Sequence, residues 1–378
     1  MSHFIPLSVP NLKGNEQKYV AKAIGEEWVS TAGSFVDEFE SSVAKYVGTK
    51  GSVACQSGTA GLHLALLACG VGPGDEVIVP ALTFIAAINP VKYAGAEPVF
   101  MDCDDTLCMD MEKVDEYIRD HCSFEDGKLI NNRTNAQIKA MLVVHVFGNM
   151  ANMPGALELS QKYNLKLIED ATEALGTYYT EGALKGKFAG AIGDVGVYSF
   201  NGNKIITTGG GGMIVSNDDE ILSQTKYLST QAKDDPVYFI HNHIGYNYRM
   251  TNVQAAIGLA QLEQLETFIE TKKANYFEYM NRGIALLPFQ SRIRPNYWFY
   301  SHLSKSRDEL IKDLGTADIQ ARPVWHLICN LPMYTNAERY KIEKAEWYYE
   351  NIVNIPCSSN LSTDDVIQVA AKIIELEK

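Results

Sequence analysis

The chain has 378 residues, of which 46% are hydrophobic and 21% are charged, and its formal net charge is −13. This length exceeds that of a usual single hydrophobic core, so we expect two domains, or one large α/β domain with an appendage. The negative charge argues against a general surface for nucleic acid or for an anionic membrane.

The cysteines and the apolar runs indicate in which cellular compartment the protein is expected. The seven cysteines are odd in number and include no Cys-x-x-Cys pair, which argues against a zinc site and against a disulfide framework. Residues 1–6 do not form a basic region followed by an apolar core, and no window approaches about eighteen uninterrupted apolar residues. We therefore predict a cytoplasmic protein with no metal site and no membrane segment.

Two helices are predicted near the N-terminus, at residues 16–28 and 36–47, with a polar break at residues 30–34. Ser34 is a suitable N-cap for the second helix, and a Ser/Thr/Gly break of this kind is usually only a capped loop. The alternative is that the break contacts a ligand.

A short apolar strand leads through residues 56–60 into a largely apolar helix at residues 61–69. A helix that is apolar on nearly all sides should be buried, and its N-terminus presents backbone N–H groups behind Gly58 and Thr59. Those groups can bind an anion. The alternative is that Ser57 or Thr59 merely caps the helix.

The next predicted elements are strands at residues 76–79 and 98–100, a buried helix at residues 83–91 between them, and a polar surface loop at residues 120–136. Phe84 follows the C-terminal end of the first of these strands. Its ring could cover a planar ligand there, although such a phenylalanine is more often part of the core.

A strand, helix and strand follow at residues 140–146, 154–163 and 165–170. This order predicts βαβ units and a parallel sheet. Ligands of such sheets bind outside the carboxyl ends of the strands, which is where His145, Asp170 and Lys204 fall, so we expect these three polar groups to converge. Asp170 could be a loop cap, but it is also the kind of group that pairs with a protonated pyridine nitrogen.

Lys204 is the residue around which these features are organised. It lies in a loop between predicted strands at residues 195–200 and 213–215, and the glycine run 209–212 follows it. Glycines let the backbone pass close to a bulky group, and a partly desolvated lysine is a usable amine nucleophile for Schiff-base chemistry. The alternative is a flexible glycine loop beside a solvated lysine.

The C-terminal third begins with a capping-box pattern at residues 251–254, which predicts a long helix through about residue 279. After residue 288 the pattern changes to short aromatic-rich strands, such as residues 297–303, mixed with helices. We therefore predict a large α/β domain at residues 1–250, and a linking helix with a small α+β domain at residues 251–378.

Five motifs occur in one order and spacing along nearly the whole chain. They are Ser57-Gly58-Thr59, Glu169-Asp170-Ala171, Ser199-Phe200 with Lys204 and its glycines, Gly245-Tyr246-Asn247-Tyr248-Arg249, and Arg322-Pro323-Val324-Trp325. Together they closely resemble the DegT/DnrJ/EryC1/StrS family of nucleotide-sugar aminotransferases, fold-type I enzymes that use pyridoxal 5′-phosphate (PLP). The resemblance implies an α/β fold, with a large domain on a mainly parallel seven-stranded sheet flanked by helices and a smaller C-terminal α+β domain.

The resemblance also implies roles for the central residues. Lys204 forms the Schiff base with the cofactor and, once released from it, acts as general base and acid. Asp170 keeps the pyridine nitrogen protonated, which makes the ring an electron sink. Asn247 matches a residue that reaches the cofactor phosphate from the neighbouring subunit, so the resemblance implies a homodimer with shared active sites.

The remaining cofactor contacts follow from the same resemblance. Glu173 stands where many relatives carry glutamine near the 3-hydroxyl of the cofactor, and Phe84 is expected to stack on the ring. The phosphate is expected to be bound by Gly58, Thr59 and Ser199.

The substrate contacts expected from the family are Ser30, Arg249 and His326. Two positions depart from the family pattern. Many members carry Gly-Glu-Gly-Gly behind the lysine, whereas this chain has Gly210 in place of the glutamate, and residues 326–330 are less typical.

Within the family, residues 28–33, 207–213 and 354–359 look most like the LegC branch. Those enzymes aminate C4 of UDP-2-acetamido-2,6-dideoxy-hexos-4-ulose with L-glutamate as donor. We therefore expect this nucleotide sugar as substrate, in the biosynthesis of bacterial surface glycans. The alternative is a GDP- or dTDP-linked keto-deoxysugar, of the perosamine type or aminated at C3.

Other classes of protein fit these residues less well. Family members that remove a hydroxyl resemble this set with histidine at the lysine position, so Lys204 argues against a PLP-dependent sugar dehydratase. A non-catalytic PLP-binding regulator would not need every chemical position. A dinucleotide-binding enzyme is disfavoured because no Gly-x-Gly-x-x-Gly opens a helix after the first strand.

Overall fold

The computed structural model describes residues 3–378. Met1 and Ser2 belong to the N-terminal segment in which the sequence predicts no secretion signal, and they lie outside the described residues. Within residues 3–378, no helix is both long enough and apolar enough to cross a membrane.

The centre of the molecule is a sheet built from short runs of apolar residues. Val77 and Ile78 in one strand and Leu142 and Val143 in another are fully buried, as expected for strands covered on both faces. The strands are β1 (Gly51–Cys55), β2 (Asp75–Pro80), β3 (Glu97–Met101), β4 (Cys122–Glu125), β5 (Lys128–Asn131), β6 (Gln137–Val144), β7 (Lys166–Asp170), β8 (Tyr178–Tyr179), β9 (Val195–Ser199), β10 (Gly212–Ser216), β11 (Ile293–Arg294), β12 (Tyr300–Leu303), β13 (Arg322–Pro323), β14 (Glu338–Tyr340) and β15 (Ile352–Ile355).

The main sheet has ten strands, in the order β1-β10-β9-β7-β6-β2-β3-β14, with the β4-β5 hairpin attached to β6. β9, β7, β6, β2, β3 and β14 are parallel to one another, whereas β10 is antiparallel to both β1 and β9. The predicted seven-stranded, mainly parallel core is present from β1 to β3. The prediction was incomplete, because β14 extends one edge and the hairpin adds two further strands.

The predicted surface loop at residues 120–136 is wrong for the β4-β5 hairpin. Leu129 of β5 is buried and pairs with Ile138 of β6, so one strand of the hairpin completes the sheet. Asp126 and Gly127 both have positive φ, at 50° and 73°, and close the hairpin. An Asp-Gly pair is a strong turn signal, and it was present in the sequence.

Helices pack against this sheet, and the N-terminal turn of one of them points to the cavity described below. The helices are α1 (Glu16–Gly25), α2 (Ser34–Val47), α3 (Gly58–Ala68), α4 (Asn89–Tyr93), α5 (Met111–His121), α6 (Met153–Tyr163), α7 (Asp219–Ser229), α8 (Asn252–Leu262), α9 (Leu265–Asn281), α10 (Arg307–Thr316), α11 (Lys344–Asn351) and α12 (Thr363–Leu376), with short 3₁₀ turns at Ile85–Ala87, Val146–Gly148 and Ile328–Asn330.

Two N-terminal helix predictions need correction. The first helix ends at Gly25 rather than at residue 28, and Gly33, not Ser34, occupies the N-cap of α2.

The predicted helix at residues 83–91 is a 3₁₀ turn followed by the short α4. Pro90 lies in the first turn of α4, where its missing N–H costs nothing, so it starts a helix there and cannot continue one.

The predicted long helix from residue 251 is two helices, α8 and α9. The capping box between Thr251 and Gln254 is present, as expected. The helix is interrupted at Glu263 and Gln264 because α8 packs on α1 and α2, whereas α9 packs on α12. Periodicity within one segment does not reveal such a change of packing partner.

The C-terminal third contains an antiparallel sheet of β12, β15 and β13, which packs with α10, and α10 in turn packs with α12. β14 leaves this region and joins the edge of the main sheet beside β3. The domain division at residue 250 stays a prediction. Through β14, the C-terminal third also contributes a strand to the main sheet.

Candidate active site

A cavity of about 350 Å³ lies at the carboxyl ends of β7 and β9, next to the first turn of α3. Seven of the predicted cofactor-binding residues line it, namely Gly58, Thr59, Phe84, Asp170, Glu173, Ser199 and Lys204. This is the edge of a parallel sheet at which ligands bind. Residues far apart in sequence are thus brought into one concave site.

Lys204 lies in the loop between β9 and β10, as predicted, with a side chain that is only 11% exposed. The loop folds back on itself, because Phe200 donates its N–H to the carbonyl of Gly211 at 2.8 Å. A Cβ on Gly211 would lie 2.3 Å from Oγ1 of Thr208, so the close return of the chain requires glycine there. The loop therefore presents Lys204 from an ordered scaffold rather than from a flexible glycine tract.

Gly210, where many relatives carry glutamate, has open space around the position of a Cβ. Its carbonyl accepts hydrogen bonds from the Thr208 hydroxyl at 2.7 Å and from Nε2 of Gln254 at 2.5 Å. The backbone at this position is therefore fixed by neighbouring side chains.

Asp170 ends β7 and is buried. Its Oδ1 accepts the backbone N–H of Thr172 at 3.0 Å, and burial raises the pKa of the carboxyl above its ordinary value. Desolvation disfavours the ionised form, so this carboxylate is best stabilised by a positively charged partner in the cavity.

Glu173 lies beside both Lys204 and Asp170. Its Oε1 is 3.6 Å from Nζ of Lys204, and its Oε2 accepts the N–H of Phe147 at 2.8 Å. Burial raises the pKa of Glu173 to about 7, and the positive charge of Lys204 opposes that rise. The carboxyl of Glu173 can therefore carry a proton in the neutral pH range and donate a hydrogen bond.

His145 was expected to converge with Asp170 and Lys204, but it does not line the cavity. Its Nδ1 accepts the N–H of Ala151 at 3.1 Å, so Nε2 carries the proton and donates to Glu169 at 2.9 Å. Both ring nitrogens are used in buried contacts. His145 is therefore a structural residue beneath the strand ends.

The first turn of α3 forms part of the cavity wall. The hydroxyl of Ser57 accepts the N–H of Ala60 at 3.1 Å and caps the helix, while Gly58, Thr59 and Ser199 line the cavity. A Cβ on Gly58 would lie 2.9 Å from Cβ of Ser199, so glycine is needed for this close approach. The two sequence-based alternatives, helix cap and anion site, are compatible, because the cap leaves the N-terminal turn facing the cavity.

Aromatic side chains from the C-terminal third complete the site. Trp298, Phe299 and Trp325 line the cavity, and the rings of Trp325 and Phe84 are 6.2 Å apart. No sequence motif predicts a site role for Trp298 or Phe299. The only sequence feature that could have indicated a site role for these two residues is the aromatic-rich run at residues 297–303, and such a run is equally typical of a core strand.

Four predicted site residues lie outside the cavity lining. Ser30 is exposed, and its carbonyl accepts the N–H of Asn252 at 2.6 Å. Asn247 is exposed and pairs through its backbone with Thr230. His326 is also exposed, with its ring centroid 5.1 Å from that of Tyr349, and its neighbour Trp325 faces the cavity instead.

Arg249 is buried away from the cavity. Its Nη1 lies 2.6 Å from Oε1 of Glu40 and 3.0 Å from the carbonyl oxygen of Ala54. The expected substrate contact by Arg249 is not supported by this geometry, because its Nη1 pairs with groups of its own chain and the side chain does not line the cavity. It holds α2 to β1.

Comparison with known proteins agrees with the geometry. The sequence model of the DegT/DnrJ/EryC1/StrS aminotransferase family matches residues 10–374. The chain belongs to this family. The expected enzyme class, a PLP-dependent nucleotide-sugar aminotransferase, is confirmed, and PLP is the cofactor of the family.

Relatives within the family are similar over almost their whole length. The chain is 38% identical to the GDP-perosamine synthase of Caulobacter vibrioides, over 98% of this chain and 97% of that protein. It is 37% identical to the GDP-perosamine synthase of Escherichia coli O157:H7, over 98% of each. The crystal structure of a DegT DnrJ EryC1 StrS aminotransferase from Brucella abortus superimposes with a TM-score of 0.87 at 25% identity, covering 96% of this chain and 95% of that one. These likenesses confirm the expected fold.

The residues of the cavity fit the family's cofactor. A helix N-terminus with Thr59 and Ser199 suits a phosphate, a buried carboxylate at Asp170 suits a protonated ring nitrogen, and Lys204 supplies an amine. Among residues 3–378 no cluster of side chains with the composition of a metal site is found, and this chemistry requires none.

Proposed function

We propose that the chain transfers the amino group of L-glutamate to C4 of a GDP-linked 4-keto-6-deoxysugar, giving a product of the GDP-perosamine type. The observation that carries the choice of nucleotide is the match to two GDP-perosamine synthases, at 38% and 37% identity over 98% of this chain. It favours the GDP-linked alternative over the UDP-2-acetamido sugar that sequence analysis placed first. The cytoplasmic location stays a prediction from the sequence.

Asp170 and Lys204 have different chemical roles in the proposed reaction. When bound, PLP would supply an electron sink for Cα of the amino donor as that carbon loses its proton. Asp170 would keep the ring nitrogen protonated, because its buried carboxylate is stabilised by a positive partner. Lys204 would take the proton from Cα of the amino donor and deliver it to C4′ of the cofactor, acting as general base and then as general acid.

The remaining residues hold the cofactor in place. Gly58, Thr59 and Ser199 bind the phosphate at the start of α3. Glu173 donates a hydrogen bond to the 3-hydroxyl group when it is protonated, as the glutamine of many relatives can. Phe84 covers the ring. These roles rest on the position of the residues around one cavity and on the family resemblance.

A direct assay tests the proposed substrate. Purified enzyme is loaded with PLP and given L-glutamate with a panel of GDP-, UDP- and dTDP-linked 4-keto-6-deoxysugars. We expect the highest kcat/KM with the GDP sugar, read as formation of the amino sugar by mass spectrometry. Lys204→Ala is the inactive control. Turnover of the UDP-acetamido sugar alone would reject the GDP assignment but keep the enzyme class.

We also propose a homodimer in which Asn247 of each subunit reaches the cofactor phosphate of the other. Its exposed position outside the cavity of its own chain is compatible with that role. Mixing Lys204→Ala subunits with Asn247→Ala subunits gives hybrid dimers that contain one site with both native residues. We expect activity to rise on mixing. If subunit exchange is demonstrated and activity does not rise, the sites are self-contained.

A further inference from the structure

Trp298 makes two separate contacts with the lysine segment. The Nζ atom of Lys204 lies 4.2 Å from the centre of its ring, on an aromatic face that attracts a cation. The indole N–H donates a hydrogen bond to the carbonyl oxygen of Asn203 at 2.8 Å. One side chain therefore contacts both the amine of Lys204 and the backbone that precedes it.

Trp298 is itself held firmly in place. Its ring is stacked on that of Phe299, with centroids 4.1 Å apart and an interplanar angle of 11°, and the residue is only 2% exposed. Its backbone N–H donates to Oδ1 of Asn296 at 3.0 Å. A side chain fixed in this way is held in one rotamer, so it can restrict the rotamers of the flexible Lys204 side chain that contacts it.

Asn296 links this arrangement to the carboxylate side of the cavity. It is fully buried, and its Nδ2 donates to the carbonyl oxygens of Glu173 at 2.8 Å and Leu175 at 3.0 Å. The segment that carries Glu173 and the segment that carries Trp298 are therefore tied together by one side chain. Lys204 contacts both segments, through Oε1 of Glu173 and through the ring of Trp298.

We infer that Trp298 is a positioning residue for Lys204, which fixes the Asn203–Lys204 backbone and holds the amine toward the reacting position in the cavity. A lysine side chain loses considerable rotamer freedom when its amine is fixed, and contacts made before the reaction reduce that loss during it. An aromatic residue that served only the core would not need to face the cavity or to bond the lysine loop. The inference rests on the proposed role of Lys204.

The test separates covalent attachment from simple binding. The carbonyl carbon of PLP bonds to the nitrogen of Lys204, and the carbonyl oxygen leaves as water. In cofactor-free enzyme, the rate of attachment is measured by borohydride quenching at successive times and quantification of the labelled Lys204 peptide by mass spectrometry. Affinity for pyridoxamine 5′-phosphate, which has no carbonyl to react, is measured in parallel by titration.

Two variants dissect the two contacts. Trp298→Phe keeps an aromatic ring and loses the N–H, whereas Trp298→Leu loses both. We expect attachment to slow about threefold in the first, which loses one hydrogen bond to the lysine segment, and about tenfold in the second, which also loses the ring against which the Lys204 side chain lies. Pyridoxamine 5′-phosphate should bind both variants with wild-type affinity, and kcat should fall more than the KM for the sugar changes. Trp347→Phe, at an exposed tryptophan of α11, is the matched control.

Each outcome decides the question. Wild-type attachment rates in both variants would overturn the inference. An equal loss of pyridoxamine 5′-phosphate binding would also overturn it, because Trp298 would then only support the shape of the cavity. If Trp298→Leu does not fold, a slowed Trp298→Phe supports the inference and an unchanged one rejects it. If wild-type Lys204 is not labelled at all, the proposed function fails first and this inference falls with it.

Discussion

Lys204 with Glu173 and Arg249 with Glu40 are two buried cation–carboxylate pairs with different geometry. Nη1 of Arg249 lies 2.6 Å from Oε1 of Glu40 and also bonds a backbone carbonyl, so this nitrogen is paired within its own chain. Lys204 is 3.6 Å from Glu173, and the pair opens onto the cavity. Burial and opposite charge therefore do not by themselves distinguish the structural pair, Arg249 with Glu40, from the reactive pair, Lys204 with Glu173. The difference is that Nη1 of Arg249 is paired within its own chain, whereas Lys204 lines the cavity.

The comparison predicts opposite effects for the same kind of substitution, and the largest concerns Lys204. Lys204→Met should lower transamination by at least about a thousandfold, because the amine takes part in the reaction itself. The free energy of unfolding of this variant should hardly change, because the ion pair that the substitution removes is long, with 3.6 Å between Nζ and Oε1 of Glu173. Activity and thermal unfolding are measured together. Lys187→Met, at an exposed lysine, is the control. Retained activity in Lys204→Met would remove the lysine from the chemistry.

Arg249→Met should mainly affect stability. It leaves the carboxylate of Glu40 buried without its cation, and we expect the free energy of unfolding to fall by about 3 kcal/mol. Urea unfolding measures this change. The double variant with Glu40→Gln should recover part of the loss, since the unpaired charge is then gone. A stable Arg249→Met enzyme with a raised KM for the sugar would instead make Arg249 a substrate contact and break the comparison.

Glu173→Gln should change the pH dependence of stability, and near pH 5, where little of the pKa difference is expressed, its effect is expected to be the smallest of the three. The pKa of Glu173 is raised from its ordinary value of 4.5 to about 7 in the folded protein. The folded state therefore holds this proton more tightly than the unfolded state, and the carboxyl lowers stability progressively as pH rises from about 4.5 to about 7. In cofactor-free protein, the advantage of the glutamine variant should grow between pH 5 and pH 8, to at most about 3 kcal/mol.

Unfolding curves at several pH values check this prediction. Glu181→Gln, at an exposed glutamate, should follow the wild-type pH dependence. A stability difference between Glu173→Gln and the wild type that does not vary with pH would mean that Glu173 titrates normally in the folded protein. The Lys204 pair would then resemble the Arg249 pair more closely than its geometry indicates.

Much of the site could be predicted from the sequence, because its residues carry local signals. Asp170 follows an apolar strand, Gly58 and Thr59 begin an apolar helix, and Lys204 precedes a glycine run. Each signal places a residue at the end of an element, and parallel strands bring such ends to one edge of a sheet. The same reasoning could not exclude His145, because only the folded chain brings Glu169 and Ala151 to its two ring nitrogens.

The sequence by itself determined the enzyme family, the parallel sheet and the lysine loop, because these depend on motifs and on hydrophobic periodicity within short segments. Tertiary structure decided the break between α8 and α9, the addition of β14 to the main sheet, and the contact of Trp298 with Lys204. It also decided that Arg249 pairs with Glu40 rather than facing the cavity. These features join segments far apart in the chain, and their energies depend on distances and burial that no local pattern encodes.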